Sequence, residues 1–239
     1  MNTPSASPAE TSPRVLVWDA PVRLFHWLMV ACFAGAWLSA ESERFRLLHV
    51  TLGLTMVGLV VFRLLWGVVG TKHARFASFV RGPMAAWQHL KAMFAGRHEG
   101  GAGHNPAGAL AIVAMLALTL TAGATGWLAY TGSDAAGELH EGVVNGLLAL
   151  VGLHLAGVLL ASLLGRRNLV KPMLTGRAQA RPDEGIRSAR VGIALLVLAG
   201  VLGFWAWQWQ QAPAPLQAAA GERHAAQHGE GTRHRDHDD

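Results

Sequence analysis

The sequence predicts an all-α integral membrane protein, formed by a bundle of four transmembrane helices and a fifth transmembrane helix near the C-terminus. Of 239 residues, 51% are hydrophobic and only 15% are charged, well below the roughly 25% charged residues of soluble domains. The apolar residues are gathered in runs close to twenty residues long, which is the length a helix needs to cross a bilayer. Contact with membrane lipid is therefore expected along most of the chain.

The first two spans form a predicted antiparallel pair. Residues 24–40 are short for a span, so we expect residues 21–23, which include a proline, to supply its first turn. The connection at residues 41–46 is short, and the second span, residues 47–69, must therefore return beside the first. The polar side chains of interest near the ends of these two spans are Arg23, His26, His49 and Arg63.

A long basic loop, residues 70–106, separates the second span from the third, residues 107–130. Hydrophobic residues in the loop recur at helical intervals, which predicts an amphipathic helix on the membrane surface. The third span has no histidine, and its glycines Gly123 and Gly126 would admit either a bulky group or a closely packed helix. The histidines of the loop lie in polar surroundings and are poor ligand candidates: His73, His89, His98 and His104.

The fourth span, residues 140–164, carries two histidines fourteen residues apart, His140 and His154. At 100° and 1.5 Å per residue, this spacing closes to within about 40° of four turns and separates the rings by roughly 21 Å. Both rings therefore face one way at two depths. A basic loop follows, and the fifth span, residues 191–209, ends in three tryptophans typical of a membrane interface.

The loop charges predict the orientation of the chain. The N-terminus, the second loop and the fourth loop are basic, whereas the third loop carries Asp134 and Glu138 without lysine or arginine. The positive-inside rule places the N-terminus in the cytoplasm and the C-terminal tail in the periplasm. The net charge of +5 is explained by this orientation, and we expect no nucleic-acid partner.

The four histidines within spans need a common explanation, because ionisable side chains are costly there. His49 and His140 both begin spans that enter from the outer side, so they match in depth. His154 lies further in, where His26 is the remaining candidate. His26 is closer to its surface than His154, so either the first span is tilted or its helix begins before residue 24. Each of the three histidines near a span end would, taken alone, equally suit a hydrogen-bonded interfacial residue.

Neutral imidazoles are good axial ligands for haem iron, so the two level-matched pairs predict an outer and an inner haem. The only cysteine is Cys32, which excludes covalent attachment through C-x-x-C-H and predicts non-covalent b-type haem. Arg63 and Arg23 would reach the inner level and bind haem propionates, or equally extend to the cytoplasmic headgroups. The same two alternatives hold at the outer level for Arg44 and Arg46.

Six stretches in chain order resemble the prokaryotic cytochrome b561 family, which includes the b-type cytochrome subunits of nickel-iron hydrogenases. They are VWDAPVRLFHW (17–27), LLHVTLGL (47–54), FRLLWGVVGT (62–71), GHNPAGAL (103–110), LHEGVVNGLLALVGLHLAGV (139–158) and NLVKPMLTG (168–176). The resemblance implies a four-helix, two-haem core in the bacterial cytoplasmic (inner) membrane that passes electrons between the quinone pool and a partner. It also places His26, His49, His140 and His154 at axial-ligand positions.

The predicted organisation has four parts. Residues 1–14 form a disordered N-terminal segment, and residues 15–177 form the two-haem domain. Residues 178–209 hold the basic loop and the fifth span, and residues 210–239 form a disordered, histidine-rich tail. The last two parts lie outside the resemblance. The resemblance therefore leaves the specific partner of the protein open, and no hydrogenase assignment follows from it.

The predicted function is electron transfer between quinone or quinol and a redox protein such as a cytochrome c, a hydrogenase or a dehydrogenase, either alone or as a subunit of a quinone-linked oxidoreductase. One alternative is a metal transporter or sensor that uses the intramembrane histidines and the tail. Another is a haem-containing membrane anchor subunit of a larger oxidoreductase. The tail histidines would bind a divalent metal weakly or remain solvated: His224, His228, His234 and His237.

Overall fold

The computed structural model describes residues 13–78 and 106–211, together with single residues at 84, 88 and 91. Within this part of the chain, five helices are long and apolar enough to cross a membrane, so the predicted all-α membrane fold is confirmed. The helices are α1 (Ala20–Ser39), α2 (Arg46–Val69), α3 (Pro106–Tyr130), α4 (Asp134–Leu164), the short α5 (Val170–Thr175) and α6 (Val191–Gln210).

Two helices begin earlier than their predicted spans. Helix α1 begins at Ala20, so residues 21–23 do form its first turn, and the helix begins before residue 24 as one of the two expectations for His26 required. The Asp19 side chain caps this end by accepting a hydrogen bond from the Val22 amide at 2.9 Å. Helix α4 begins at Asp134, six residues before the predicted 140, because the Ser133 hydroxyl accepts from the Ala136 amide and caps the helix.

Consecutive long helices pack against each other as antiparallel neighbours. In the described part of the chain, α1 packs on α2, α2 on α3 and α3 on α4, while α1 and α4 form no extended interface. Gly123 permits the close approach of α3 to α2, since a β-carbon there would overlap the Val57 side chain. The predicted close-packing role therefore applies to this glycine.

A two-stranded antiparallel sheet ties the residues before α1 to the segment after α4, and the sequence did not predict it. Strand β1 (Arg14–Leu16) pairs with β2 (Arg177–Gln179), with Val15 opposite Ala178. Gly176, which has a left-handed φ of 79°, precedes β2 and accepts hydrogen bonds from the amides of Val17 and Trp18. Arg14, the last residue of the predicted disordered segment, thus begins a strand, and residues 1–12 lie outside the described part.

A compact core lies at this end of the bundle, and we call it the cap. It consists of buried Val17, Trp18, Val22, Trp66 and Ala74. His73 is 8% exposed beside it, and its Nε2 donates to the Glu184 carbonyl at 2.7 Å. The polar surroundings expected for His73 are therefore wrong, because the residue is buried beside the cap.

Much of the second loop lies outside the described residues. Met84, Gln88 and Lys91 are helical and exposed, in keeping with the predicted surface helix. His89, His98, His104 and the tail from residue 212 onward are not described. Helix α6 continues from Ala199 as a unit of its own and contains Trp205, Trp207 and Trp209 in its last two turns.

Candidate functional site: two histidine pairs

His49 of α2 and His140 of α4 lie side by side, and we call them the outer pair after their predicted depth. Their ring centroids are 6.2 Å apart and the ring planes meet at 81°. His49 Nδ1 is 2.8 Å from the Ala36 carbonyl, and His140 Nδ1 is 2.9 Å from the Ala122 carbonyl. A carbonyl oxygen only accepts, so Nδ1 carries the proton in both rings, and each Nε2 keeps a lone pair available for a metal.

The spacing of the outer pair fits two axial ligands of one iron. With about 2 Å for each metal–nitrogen bond, two imidazoles on opposite sides of an ion have centroids roughly 6 Å apart. Hydrogen bonds from the second ring nitrogen to a carbonyl are the usual way in which a metal-binding histidine is oriented. The outer pair therefore has a separation that fits one bound haem, and each ring is oriented by a hydrogen bond to a backbone carbonyl.

Gly126 of α3 makes room for the outer pair. A β-carbon at this position would lie 2.9 Å from Cε1 and 3.0 Å from Nδ1 of His140. The bulky group that approaches the α3 backbone here is the imidazole itself. Thr125, one residue earlier, has its hydroxyl 3.4 Å from His140 Nδ1, so α3 supports the ring from two adjacent positions.

His26 of α1 and His154 of α4 form the second pair, the inner pair. The two rings are near enough that a positive charge on one is felt by the other. His26 Nδ1 is buried and has no hydrogen-bond partner in the described part of the chain. The structure thus places His49 next to His140 and puts His26 within electrostatic range of His154.

The two arginines expected at the inner level are Arg63, which is buried, and Arg23, which is half-buried. The Arg63 side chain is 2% exposed, with its guanidinium 4.7 Å from the centre of the Phe76 ring. It therefore does not extend to the headgroups, which was one of the two expectations. Arg23 donates from Nη1 to the Leu174 carbonyl at 2.7 Å.

The inner level concentrates polar atoms that lack partners. Within the described residues, the buried side-chain nitrogen and oxygen atoms without a hydrogen bond are Arg23 Nε, His26 Nδ1 and Arg63 Nη1. An unsatisfied buried donor costs about 1–3 kcal/mol. Arg23 lies one helical turn before His26 on α1, and guanidinium donors near an imidazole fit a group that carries carboxylates and a metal, as haem with its propionates does.

Comparison with known families agrees with this geometry. The family model described as prokaryotic cytochrome b561 matches residues 17–176, which is more than half of the chain. The chain belongs to the prokaryotic cytochrome b561 family. It is accordingly a bacterial membrane protein that binds b-type haem and transfers electrons. A search of curated proteins and a search of solved structures each found no match.

The cytochrome b561 match ends before α6, and it includes a polar network that the sequence analysis missed. Asp19 Oδ2 accepts hydrogen bonds from Trp66 Nε1 at 3.0 Å and from Thr71 Oγ1 at 2.6 Å. The sequence did carry a signal for Asp19, because an aspartate followed by Pro21 is typical of a helix N-cap. Nothing in the local pattern linked it to α2.

The arginines expected at the outer level of this cytochrome have local partners. Arg46 forms an exposed ion pair with Glu43, and the guanidinium of Arg44 lies 5.8 Å from the centre of the Phe45 ring. Neither residue has an unpaired buried atom of the kind seen at Arg23 and Arg63. The predicted propionate role is therefore better supported at the inner level than at the outer one.

Proposed function

We propose that the protein is a transmembrane cytochrome b that holds two b haems, each between two histidines, and exchanges electrons between the quinone pool and a redox protein. The observation that carries the proposal is the pairing of four histidines at two depths. His140 and His154 share one helix at a separation of roughly 21 Å, and each has a histidine of another helix beside it.

At the outer level, the protein would hold haem through Nε2 of His49 and His140. The carbonyls of Ala36 and Ala122 keep both rings in the required tautomer, since each accepts the Nδ1 proton. Gly126 lets the His140 ring lie against α3. Backbone carbonyls of two helices thus orient the two outer rings.

At the inner level, His26 and His154 would be the axial ligands, and Arg63 and Arg23 would bind the propionates. Their unsatisfied donors support this assignment, because a carboxylate would satisfy both guanidinium groups in bidentate or single contacts. A b haem, when bound, supplies a one-electron iron couple. With both ring pairs committed to holding such groups, the residues described here would favour electron exchange over chemistry on a substrate at the metal.

The paired arrangement also bears on the alternative of a metal transporter or sensor. In the described part of the chain, no three histidine, cysteine, aspartate or glutamate side chains converge to hold a metal ion. Two imidazoles on opposite sides of one iron need no third side chain, whereas zinc and similar ions are bound by three or four protein ligands.

The stoichiometry of bound haem tests the proposal. We expect the purified protein to contain two haem b per chain, measured as pyridine haemochrome against protein concentration, and to show low-spin b-type bands in a reduced-minus-oxidised spectrum. A colourless protein that binds divalent metal would support the transporter alternative. A single haem per chain would contradict the two-level arrangement.

A further inference from the structure

Asp19 is a buried carboxylate at the start of α1, next to the cap. Its residue is 1% exposed. Its two oxygens accept three hydrogen bonds, from the Val22 amide, from Trp66 Nε1 and from Thr71 Oγ1. One side chain therefore caps α1 and fixes the end of α2.

The donors to Asp19 are all neutral, so its negative charge is not cancelled by direct contact. Within the described residues, Asp19 forms no salt bridge, whereas the exposed acids Glu43 and Asp183 do. Arg63 is nonetheless close enough for the opposite charges to attract. Because both groups are almost fully buried, this attraction is weakly screened by solvent.

Asp19 lies near both elements of the inner site along the chain. It precedes His26 by seven residues, two helical turns or roughly 10 Å on α1. Its partner Trp66 follows Arg63 by three residues, about one turn on α2. The carboxylate thus links the helix that carries an inner histidine to the helix that carries the buried arginine.

We infer that Asp19 is a positioning residue of the inner redox site, which fixes the end of α2 that carries Arg63 against the start of α1 and lowers the reduction potential at the inner pair through its negative charge. The inference rests on the proposed function, because it assumes a haem at the inner level. It adds an electrostatic role for a residue that is neither a ligand nor a propionate partner. The outer pair, at the other end of α2, lies outside the range of this effect.

Potentiometric titration of the purified, haem-loaded protein tests the inference through two variants. Asp19→Asn removes the charge while its amide oxygen can still accept from the Val22 amide. Trp66→Phe removes a hydrogen bond to Oδ2 and keeps both the charge and an aromatic ring. We expect Asp19→Asn to favour reduction of the inner component about three- to tenfold, where tenfold corresponds to ~59 mV for one electron, with the outer component unchanged. Trp66→Phe should leave both potentials at the wild-type values.

Two results would overturn the inference. One is an unchanged inner potential in Asp19→Asn. The other is the same positive shift in Trp66→Phe, which would assign the effect to the lost hydrogen bond and not to the charge. If Asp19→Asn does not accumulate with haem, Asp19→Ser replaces it, because a serine hydroxyl also caps a helix N-terminus and carries no charge. A raised inner potential in Asp19→Ser supports the inference, and a wild-type value contradicts it. Failure of the proposed function would be distinct, since the wild-type protein itself would then lack two titrating components.

Discussion

The outer and inner histidine pairs are organised by different means. At the outer level, both rings have a backbone carbonyl as partner, and they lie 6.2 Å apart between helices that pack on their chain neighbours. At the inner level, three buried polar atoms, on Arg23, His26 and Arg63, have no partner among the residues that the structure describes. The helices that carry the inner histidines, α1 and α4, also form no extended interface in the described part of the chain.

This difference teaches that helix packing and backbone carbonyls orient the outer pair, whereas α1 at the inner level is held by contacts from outside the four long helices. Arg23 Nη1 and Trp27 Nε1 of α1 donate to the carbonyls of Leu174 and Met173 in α5. These contacts place His26 from outside the four-helix packing. A substitution at the outer level should therefore disturb one helix–helix contact. A substitution at the inner level should instead act through the cap or through haem binding.

The largest expected effect follows from replacing the deep ligand of the inner pair. In His154→Leu, the iron loses an axial imidazole, so we expect complete loss of the inner haem component and of quinol-linked electron transfer, with the outer component retained. Spectra and quinol-dependent reduction kinetics measure the two effects. If electron transfer persisted in a working complex, the protein would be a passive anchor.

Gly126→Ala should disturb the outer level selectively. The new β-carbon would lie 2.9 Å from the His140 ring, so the ring must shift away from its Ala122 anchor. We expect a changed outer spectrum and at least a several-fold loss of haem occupancy there, measured by haemochrome assay. Gly58→Ala is the matched control, because a β-carbon on that face of α2 meets no atom within 4 Å. Equal effects of the two substitutions would contradict the proposed role of Gly126.

A smaller effect is expected from Gly176→Ala in the cap. Alanine at a left-handed φ costs about 1–2 kcal/mol, and its β-carbon would lie 2.8 Å from the Trp18 carbonyl oxygen. We expect a lower unfolding temperature and weaker retention of the inner haem on heating. The haem absorbance of each component, recorded during heating, measures the retention.

Gly132→Ala is the control for Gly176→Ala, because it introduces backbone strain without a new side-chain contact. Gly132 also has a positive φ, 110°, but a β-carbon there meets nothing within 4 Å. Gly132→Ala should lower the unfolding temperature without preferential loss of the inner haem component. If both variants released the two haems equally, the cap would have no special link to the inner level.

The sequence predicted the membrane spans and the histidine pairing because both follow from regular patterns. Apolar runs report span length directly, and the helical repeat relates His140 to His154 without knowledge of other helices. The start of α4 was missed, although Ser133 and Asp134 form an ordinary capped first turn. Because that turn is polar, the apolar run predicts a helix that begins later than α4 does.

The cap could not be predicted from local pattern. Strand β1 pairs with a strand more than 160 residues away, and three-residue strands leave no periodic signal. Asp19 was identifiable as a helix cap, but its bonds to Trp66 and Thr71 arise only when α1 and α2 meet. The buried state of Arg63 likewise depends on Phe76, which folds back over it from the following turn.

The most direct test of the two-level account is a redox titration with optical spectra of three variants. We predict that His49→Leu and His140→Leu each remove the same haem component, and that His26→Leu removes the other one. Loss of one common component in His49→Leu and His26→Leu, or of different components in His49→Leu and His140→Leu, would contradict the account.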